Sequence, residues 1–343
     1  MKRVFILLLI TLILAFITGV LGFSYIFNHE IREKREVKLS LRIERGTSLK
    51  EIVEILHRKG VVERPELLYY WARYRGIKPK AGCYKLEGNL SPEELLRELE
   101  RGAPCLKSFT VPPGSNVFVL DSLLAQKGIC RRGEIVELSQ NRKFLEKLQI
   151  PALDGYLFPD TYFINEKDGC KKAVEVAVSR FREVIFPLFE SYSPPPKVKK
   201  ALKNPDLNQI ITVASIVEKE TSIPEERPLV AAVIYNRLMR GMKLQCDPTV
   251  IYALELKGKR VKRLTYKDLE TQSPFNTYYT AGLPPAPICN PSLESVKAAL
   301  YPADVDYLYF VATGNGGHVF SRSYNQHLKN VEKLRKWRRK SGS

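Results

Sequence analysis

The sequence has few of the residue types that hold metal ions. It contains only four histidines, widely spaced, and none of its six cysteines belongs to a C-x-x-C pair. Zinc sites in proteins are typically built from Cys or His pairs at short spacing. We therefore expect no metal site and no cofactor.

Acidic residues are also scarce relative to basic ones. The chain has 37 Asp plus Glu against 55 Lys plus Arg, a formal charge of +18. Such an excess suits nucleic acid, anionic lipid or an anionic wall polymer as a partner. No zinc-finger spacing, RNA-binding aromatic motif or recognition-helix pattern accompanies it, so we expect no nucleic-acid partner.

Two further patterns that could suggest phosphate binding are incomplete. The glycines at 314–317 are not followed by the Lys-Ser/Thr of a phosphate loop, which disfavours nucleotide binding. The basic run at 333–340 is typical of a solvated helix face, and residues 336–343 are predicted to form a basic tail.

The six cysteines are dispersed along the chain. They allow 15 pairings, among which Cys83 with Cys105 is the most natural local one. An oxidising exterior would permit disulfides, and free buried thiols are the alternative.

Residues 4–27 contain no charged residue, and Lys2 and Arg3 precede them. At 1.5 Å per residue such a helix crosses a hydrocarbon core of about 30 Å, whereas a cleaved signal peptide has a shorter apolar region of roughly 7–15 residues. We predict a transmembrane anchor at 1–28 and a juxtamembrane linker at 29–36. Basic residues flank both ends of the span, so charge leaves the topology open. The short stub before the span favours an exported C-terminal part.

Residues 37–105 show the pattern of a small α+β module. A strand is predicted at 37–43, helices at 49–59 and 65–75, a strand at 82–86 and a third helix after Ser91. This order resembles a LysM-like domain, a small fold often found on glycan-binding proteins. The alternative is a spacer that holds the rest of the chain away from the membrane.

The remaining chain, 106–335, is predicted to be a mixed α/β region with its core at about 200–335. Residues 153–163 are dense in aromatics around a turn, which suits either sugar stacking or a hydrophobic core. Helices are predicted at 228–240 and, with a carboxylate at its start, from Asp247. A buried strand at 307–311 and a second strand at 318–321 are predicted near the end.

The stretch 213–221 contains the strongest candidate for a catalytic acid. Its apolar residues recur at helical spacing, and Glu220 falls on the same side, whereas Glu218 lies about 160° further round, and Ser215 and Lys219 are predicted to face outward. A carboxyl group against apolar neighbours keeps its proton to a higher pH, as a general acid near neutrality requires. The alternative is that Glu220 is capped or ion-paired with an Arg at the helix end.

Several segments together resemble the YceG-like family of endolytic murein transglycosylases. The resemblance runs from the anchor to about residue 329, and it is carried by the segments 153–162, 214–221, 244–252, 273–278, 282–285, 309–311 and 317–320. Two positions depart from the family pattern. Asp154 stands where Glu is expected, so the longer Glu side chain is not strictly required at this position. Cys246 stands where Ser or Thr is usual, which suggests that only a small side chain is needed.

The resemblance implies a membrane-tethered, extracytoplasmic enzyme of the cell (inner) membrane that cuts peptidoglycan glycan strands. It implies cleavage of the β-1,4 bond between N-acetylmuramic acid and N-acetylglucosamine without water, with formation of 1,6-anhydro ends. The expected biological outcome is termination of nascent strands, and peptidoglycan synthases are the expected protein partners. The predicted fold class is α+β: an N-terminal transmembrane helix, the LysM-like module and the mixed α/β catalytic domain.

The resemblance also implies one catalytic acid/base rather than the carboxylate pair of ordinary glycosidases. Glu220 is the predicted residue, since Glu220-Thr221 is similar to the Glu-Ser pair of other lytic transglycosylases. Glu218 is the alternative acid, or else a partner for Arg227 or Arg237. The candidates for substrate binding or acid orientation are Gln245, Asp247, Asn276 and Tyr278, with helix capping as the alternative for Asp247. His318 is expected to be a structural hydrogen-bonding residue.

Two other functions stay open on the sequence. A hydrolytic muramidase would use Asp247 as a second carboxylate to activate water. A non-catalytic scaffold would bind glycan without cleaving it.

Overall fold

The computed structural model describes residues 2–261, 263–314 and 316–341. The chain forms two compact units, Met1–Leu106 and Lys107–Ser343, and each has its own hydrophobic core. Helices dominate both units, and each of the three small sheets has two strands. This arrangement confirms a mixed α+β fold.

The first unit begins with a long apolar helix, α1 (Lys2–Arg32). Its segment Leu7–Arg32 is long and apolar enough to cross a membrane, and the large apolar side chains at 7–26 are exposed. The helix fits a membrane anchor. A linker was predicted at 29–36, but the helix continues to Arg32 and the next strand starts at Arg35. Ile31, in the last turn of the helix, is fully buried in the first unit's core.

A two-stranded antiparallel sheet supports the rest of this unit. Strand β1 (Arg35–Ile43) pairs with β2 (Gly82–Leu90), with Leu39 opposite Leu86. Alternate side chains of β1 are buried, as expected for a sheet that is covered on one face. Helices α2 (Leu49–Arg58), α3 (Pro65–Tyr74) and α4 (Pro92–Arg101) complete the core. The assignment of this module to the LysM-like class stays a prediction.

The second unit contains eleven further α-helices, a short 3-10 helix at Pro224–Glu226 and four strands among its described residues. They are β3 (Leu106–Thr110), α5 (Val117–Gln126), α6 (Glu134–Gln140), α7 (Arg142–Lys147), β4 (Thr161–Asn165), α8 (Cys170–Glu190), α9 (Pro196–Leu202), α10 (Leu207–Glu220), α11 (Arg227–Met239), α12 (Asp247–Leu256), α13 (Tyr266–Leu269), α14 (Leu293–Leu300), β5 (Tyr309–Ala312), β6 (His318–Ser321) and α15 (Tyr324–Ser341). Strand β3 pairs with β4, and β5 pairs antiparallel with β6.

Helix α10 lies in the middle of this unit. It contacts α11, α12 and α14, and residues 210–217 are all buried. The outward orientation predicted for Ser215 is therefore wrong. Its hydroxyl donates to the Thr212 carbonyl and accepts from the backbone N–H of Ile288, so a second layer of chain covers the side of the helix that was expected to meet solvent. Lys219 is exposed, as predicted.

The predictions for the other elements of this unit are mostly confirmed. Helix α12 begins at Asp247, and β6 covers 318–321. The strand predicted at 307–311 is shorter and displaced, and its residues are half-buried rather than buried. Three aromatic rings of the segment 153–163, those of Tyr156, Phe158 and Tyr162, belong to the core, whereas the ring of Phe163 is exposed.

Four of the six cysteines form disulfides. The predicted Cys83–Cys105 bond is present, and a second bond joins Cys130 to Cys170. Cys246 and Cys289 are free and buried. Because Cys130 and Cys170 are bonded to each other, they offer no thiolate to a metal beside Glu134.

Replacing both Cys130 and Cys170 with Ser is expected to destabilise the second unit. The bond closes a loop of 40 residues. Closing such a loop lowers the conformational entropy of the unfolded chain, which stabilises the folded state by about 3–4 kcal/mol. Chemical denaturation of the oxidised parent and the variant measures the difference. Reduction of the parent should cause this loss together with the loss of the Cys83–Cys105 contribution, and reduction of the variant should cause only the latter. Equal midpoints for the oxidised parent and variant would contradict the prediction.

Candidate active site

Glu220 is the last residue of α10, and its position follows from how that helix begins and ends. Asp206 caps the N-terminus because its side chain accepts from the Gln209 N–H. The Gln209 side-chain oxygen accepts in turn from the Asp206 N–H. Thr221 then leaves the helix in an extended conformation. The half-buried Glu220 side chain lines a cavity of about 300 Å³. The apolar side chains Val233 and Ile234 of α11 line the same cavity, but polar and charged residues line it as well, so the apolar surroundings predicted for Glu220 are only one part of its environment.

The environment of Glu220 favours its protonated form. Desolvation is the main cause and the negative charge of Asp247 is the second, and together they raise the pKa of Glu220 to about 7. A hydrogen bond from Cys246 and the positive charge of Arg237 act in the opposite direction. The net result is a carboxyl group that can give and take a proton near neutral pH.

Arg237 of α11 is fixed by the backbone rather than by an acid. Its Nε donates to the Leu308 carbonyl at 2.7 Å and its Nη1 to the Leu244 carbonyl at 2.6 Å. Its guanidinium also lies over the Tyr309 ring, 5.2 Å from the centroid. Arg237 therefore brings a fixed positive charge to the cavity without a direct ion pair to Glu220 among the described contacts.

The segment before α12 brings three consecutive residues to the cavity wall. Gln245 has a positive φ of 50°, and its side chain is exposed. The backbone N–H groups of Gln245 and Cys246 donate to the carbonyl and hydroxyl of Thr277. A non-Gly residue held in the left-handed region costs free energy and is often found at functional sites. Gln245, Cys246 and Asp247 all line the cavity.

Asp247 and Tyr278 form a pair at the same wall. The Tyr278 hydroxyl donates to Asp247 Oδ1 at 2.7 Å. Burial and this bond to Asp247 raise the pKa of Tyr278 above its usual value. Both side chains line the cavity with Glu220, so the structure brings together four of the residues that the sequence analysis selected: Glu220, Gln245, Asp247 and Tyr278.

Asn276 has a different environment. It is fully buried, its amide donates to the Leu269 and Thr271 carbonyls, and its Oδ1 accepts from the Tyr278 N–H. These bonds occupy the side chain and hold the loop that carries Tyr278. The geometry supports a positioning role and does not support direct substrate contact.

Glu218 does not line the cavity of Glu220. Its Oε2 accepts from the N–H and hydroxyl of Ser292, at 3.0 and 2.5 Å, and from the Ser295 hydroxyl at 2.7 Å. Ser292 is the N-cap of α14, so Glu218 stabilises the start of that helix. The arginine partner considered for Glu218 is therefore replaced by two serines.

His318 has the structural role predicted for it. Its ring Nδ1 and its backbone N–H each bond one oxygen of Glu226 at 2.7 Å. Glu226 also accepts from the Thr221 hydroxyl at 2.9 Å. The network ties the residue after Glu220 to strand β6, and it stabilises the end of α10.

The sequence analysis did not select several other residues of the cavity wall, among them Phe310 and His327. Phe310 lies on β5 and His327 on α15, and both line the cavity. No local periodicity connects these elements to α10, which lies about a hundred residues earlier in the chain. A polar helix with a single His gives no signal of an inward-facing ring, so only the tertiary fold reveals His327.

Known proteins are similar to this chain over most of its length. The model of the YceG-like family matches residues 41–333. The chain is 30% identical over 337 residues to the endolytic murein transglycosylase of Bacillus subtilis, covering 92% of this chain and 91% of that protein. It is 29% identical over 351 positions to the endolytic murein transglycosylase of Streptococcus pneumoniae serotype 2 strain D39, covering 91% of this chain and 62% of that protein.

A solved structure is also similar. The crystal structure of a YceG-like protein from Listeria monocytogenes matches with a TM-score of 0.58 and 30% identity, covering 85% of this chain and 98% of that chain. The likeness therefore extends over most of the chain in both sequence and fold.

Proposed function

This chain belongs to the YceG-like family, and we propose that it is a peptidoglycan lytic transglycosylase with Glu220 as its acid/base. One observation carries the proposal: Glu220 lines a cavity whose walls raise its pKa to about 7. A single group can then act first as an acid and later as a base near neutral pH. The names of the relatives, endolytic murein transglycosylases, support the same substrate and reaction.

The reaction needs two proton transfers through Glu220. In the first, the protonated carboxyl gives its proton to the oxygen that bridges N-acetylmuramic acid to N-acetylglucosamine, and the glycosidic C–O bond breaks. In the second, the resulting carboxylate takes the proton of the muramoyl C6 hydroxyl, and the C6 oxygen bonds to C1. A 1,6-anhydro ring forms, no water is consumed, and Glu220 ends as it began.

The other cavity residues suit the charge that develops during the reaction. The centre at C1 acquires positive, oxocarbenium-like character, which a nearby carboxylate stabilises. Asp247 is such a carboxylate, and Tyr278 fixes one of its oxygens. We assign Gln245 and Tyr278 to hydrogen bonding with the sugar, and Asn276 to holding the Tyr278 loop.

We further propose that α1 anchors the enzyme in the cytoplasmic membrane with its catalytic part outside. Exposed apolar side chains at 7–26 support the anchor. Two disulfides are typical of an oxidising compartment and support the outward orientation. Cleavage close to the membrane would terminate growing strands, and contact with peptidoglycan synthases stays a prediction.

The chemistry of the new chain ends tests the proposal. Purified glycan strands are incubated with the full-length chain in detergent, and the products are identified by mass spectrometry. We expect new 1,6-anhydro ends. Reducing ends would instead support a hydrolase in which Asp247 activates water, and binding without any cleavage would support a scaffold.

The charge of Asp247 should also set the pH range of the activity. The acid step requires protonated Glu220, so the rate should fall as the pH rises through about 7. Asp247→Asn removes a charge that raises the pKa of Glu220, and the fall should therefore begin at lower pH. Initial rates of anhydro-end formation between pH 5 and 9 measure this shift.

Tyr278→Phe is the matched control for this pH profile. It removes the bond to Asp247 but leaves the Asp247 charge in place, so the rate should still fall near the parent's pH. If Asp247→Asn and the parent lost activity at the same pH, Asp247 would not influence the ionisation of Glu220.

A further inference from the structure

His327 is a polar residue of the cavity wall to which the mechanism assigns no function. It lies on α15, on the same cavity as Glu220. Its ring stacks on Tyr309 of β5, with centroids 5.2 Å apart and planes 25° apart. Arg237 lies over the same tyrosine ring. These contacts hold the imidazole in one orientation.

The two ring nitrogens of His327 differ. Nδ1 is buried and has no hydrogen-bond partner among the described residues. Nε2 is neither buried nor bonded there, so it is the nitrogen left to meet solvent or a ligand. A buried donor without a partner is rarer in proteins than an under-satisfied acceptor. Nδ1 is therefore best assigned as the unprotonated nitrogen, and the proton of the neutral ring lies on Nε2.

The charges around His327 also favour the neutral ring. Desolvation lowers the pKa of His327, and the positive charge of Arg237 on α11 lowers it further. The acidic groups on the same cavity are Glu220 of α10, which favours its protonated form, and Asp247 of α12, which Tyr278 binds. A neutral ring near pH 7 is an unsuitable acid for the first step and a suitable hydrogen-bond donor.

We propose that His327 is a substrate-binding residue that donates a hydrogen bond from Nε2–H to an oxygen of the saccharide beside Glu220. The ligand is an N-acetylated amino sugar of the glycan, whose hydroxyl and amide oxygens are acceptors. This inference rests on the proposed function and adds a contact from α15 to it.

Three replacements of His327 test the contributions of the ring and of its two nitrogens separately. His327→Phe keeps a ring that can stack on Tyr309 but has no donor. His327→Gln places an amide near the position of Nε2, and His327→Asn places one near the position of Nδ1. We expect KM for glycan strands to rise about tenfold in the Phe and Asn variants and to change little in the Gln variant, as for the loss of one hydrogen bond.

The kinetic pattern identifies the role. A structural role would lower the thermal midpoint of the Phe variant or reduce kcat in all three variants. A substrate-binding role changes KM in Phe and Asn at an unchanged thermal midpoint. Parent-like KM in His327→Phe would overturn the proposal, and so would equal losses in all three variants.

A binding measurement separates this proposal from the proposed function. In full-length Glu220→Gln protein, sedimentation with insoluble peptidoglycan reports affinity without catalysis. Adding His327→Phe should weaken binding about tenfold, and adding His327→Gln should not. If the parent formed no anhydro ends, the proposed function would fail while this binding difference could still be measured. If binding were identical in both double variants, the His327 contact would be wrong even for an active transglycosylase.

Discussion

Replacing Glu220 with Gln is expected to abolish the formation of 1,6-anhydro ends. The rate of the full-length chain should fall by at least about 10³-fold, because one residue performs both the acid and the base step. Gln has nearly the same shape and keeps a hydrogen-bonding group at the cavity wall, so binding of the glycan should survive. Mass spectrometry of the products and sedimentation with peptidoglycan measure the two effects separately.

The same variant should be more stable than the parent at alkaline pH. The pKa of Glu220 is raised from 4.5 to about 7 in the folded chain, so folding favours the protonated form. The parent therefore loses stability as the pH rises from about 4.5 through 7, by up to about 3 kcal/mol. Gln has no charge to bury, so the two proteins should unfold alike at pH 4 and differ at pH 8. Equal unfolding free energies at pH 8 would show that Glu220 is not desolvated.

Glu218→Gln is the matched control, two residues away on the same helix. Glu218 accepts three hydrogen bonds from Ser292 and Ser295, and an amide oxygen replaces these less well. The control should lose about 1–3 kcal/mol of stability. Its activity per folded molecule should stay close to that of the parent. Loss of cleavage in Glu218→Gln with activity retained in Glu220→Gln would reverse the assignment.

The orientation of Glu220 could be predicted because it depends on helical geometry alone. The 3.6-residue period places Glu220 with Ile216 and Val217, whatever packs against them. The same period says nothing about what covers the other sides of the helix. Ser215 was predicted to face outward for that reason, whereas the N–H of Ile288 binds it in the interior.

Some site residues lie far apart in the sequence and contact each other only in the fold. Their residue types made them candidates, but their contacts with each other could not be predicted. Asp247 and Tyr278 were both candidates, yet nothing in their sequence segments indicates that they bond to each other. The Cys130–Cys170 bond is one of 15 possible pairings on the sequence, and its spacing does not single it out as that of Cys83–Cys105 does. His327 could not be found at all, because its stacking on Tyr309 depends on how α15 packs against β5.

Asp154→Ala is expected to cause the largest loss of stability. The Asp154 carboxylate is buried, with 3% of its surface exposed, and it joins two elements. Its Oδ1 accepts from the N–H of Val117, the first residue of α5, at 2.8 Å, and its Oδ2 accepts from the Tyr252 hydroxyl of α12 at 2.6 Å. Ala leaves both donors buried and unpaired, which costs about 1–3 kcal/mol for each donor. Denaturant unfolding at pH 6 measures the loss.

Tyr252→Phe provides the matched control, because it removes one donor and leaves the carboxylate bonded to Val117. Its expected cost is smaller, about 1–2 kcal/mol. A double variant should lose less than the sum of the single losses, because Asp154 and Tyr252 share a bond. Additive losses would show that the two side chains stabilise the fold independently.

The length of this side chain can be tested in the same way. The resemblance to the family predicts Glu at position 154, but in this chain the shorter carboxylate already reaches both donors. Asp154→Glu adds one methylene to a packed interior, which costs about 1–3 kcal/mol unless α5 and α12 move apart. Asp154 does not line the Glu220 cavity, so folded Asp154→Glu protein should form anhydro ends at the parent's rate. A loss of activity at unchanged stability would instead give the carboxylate at 154 a part in the reaction.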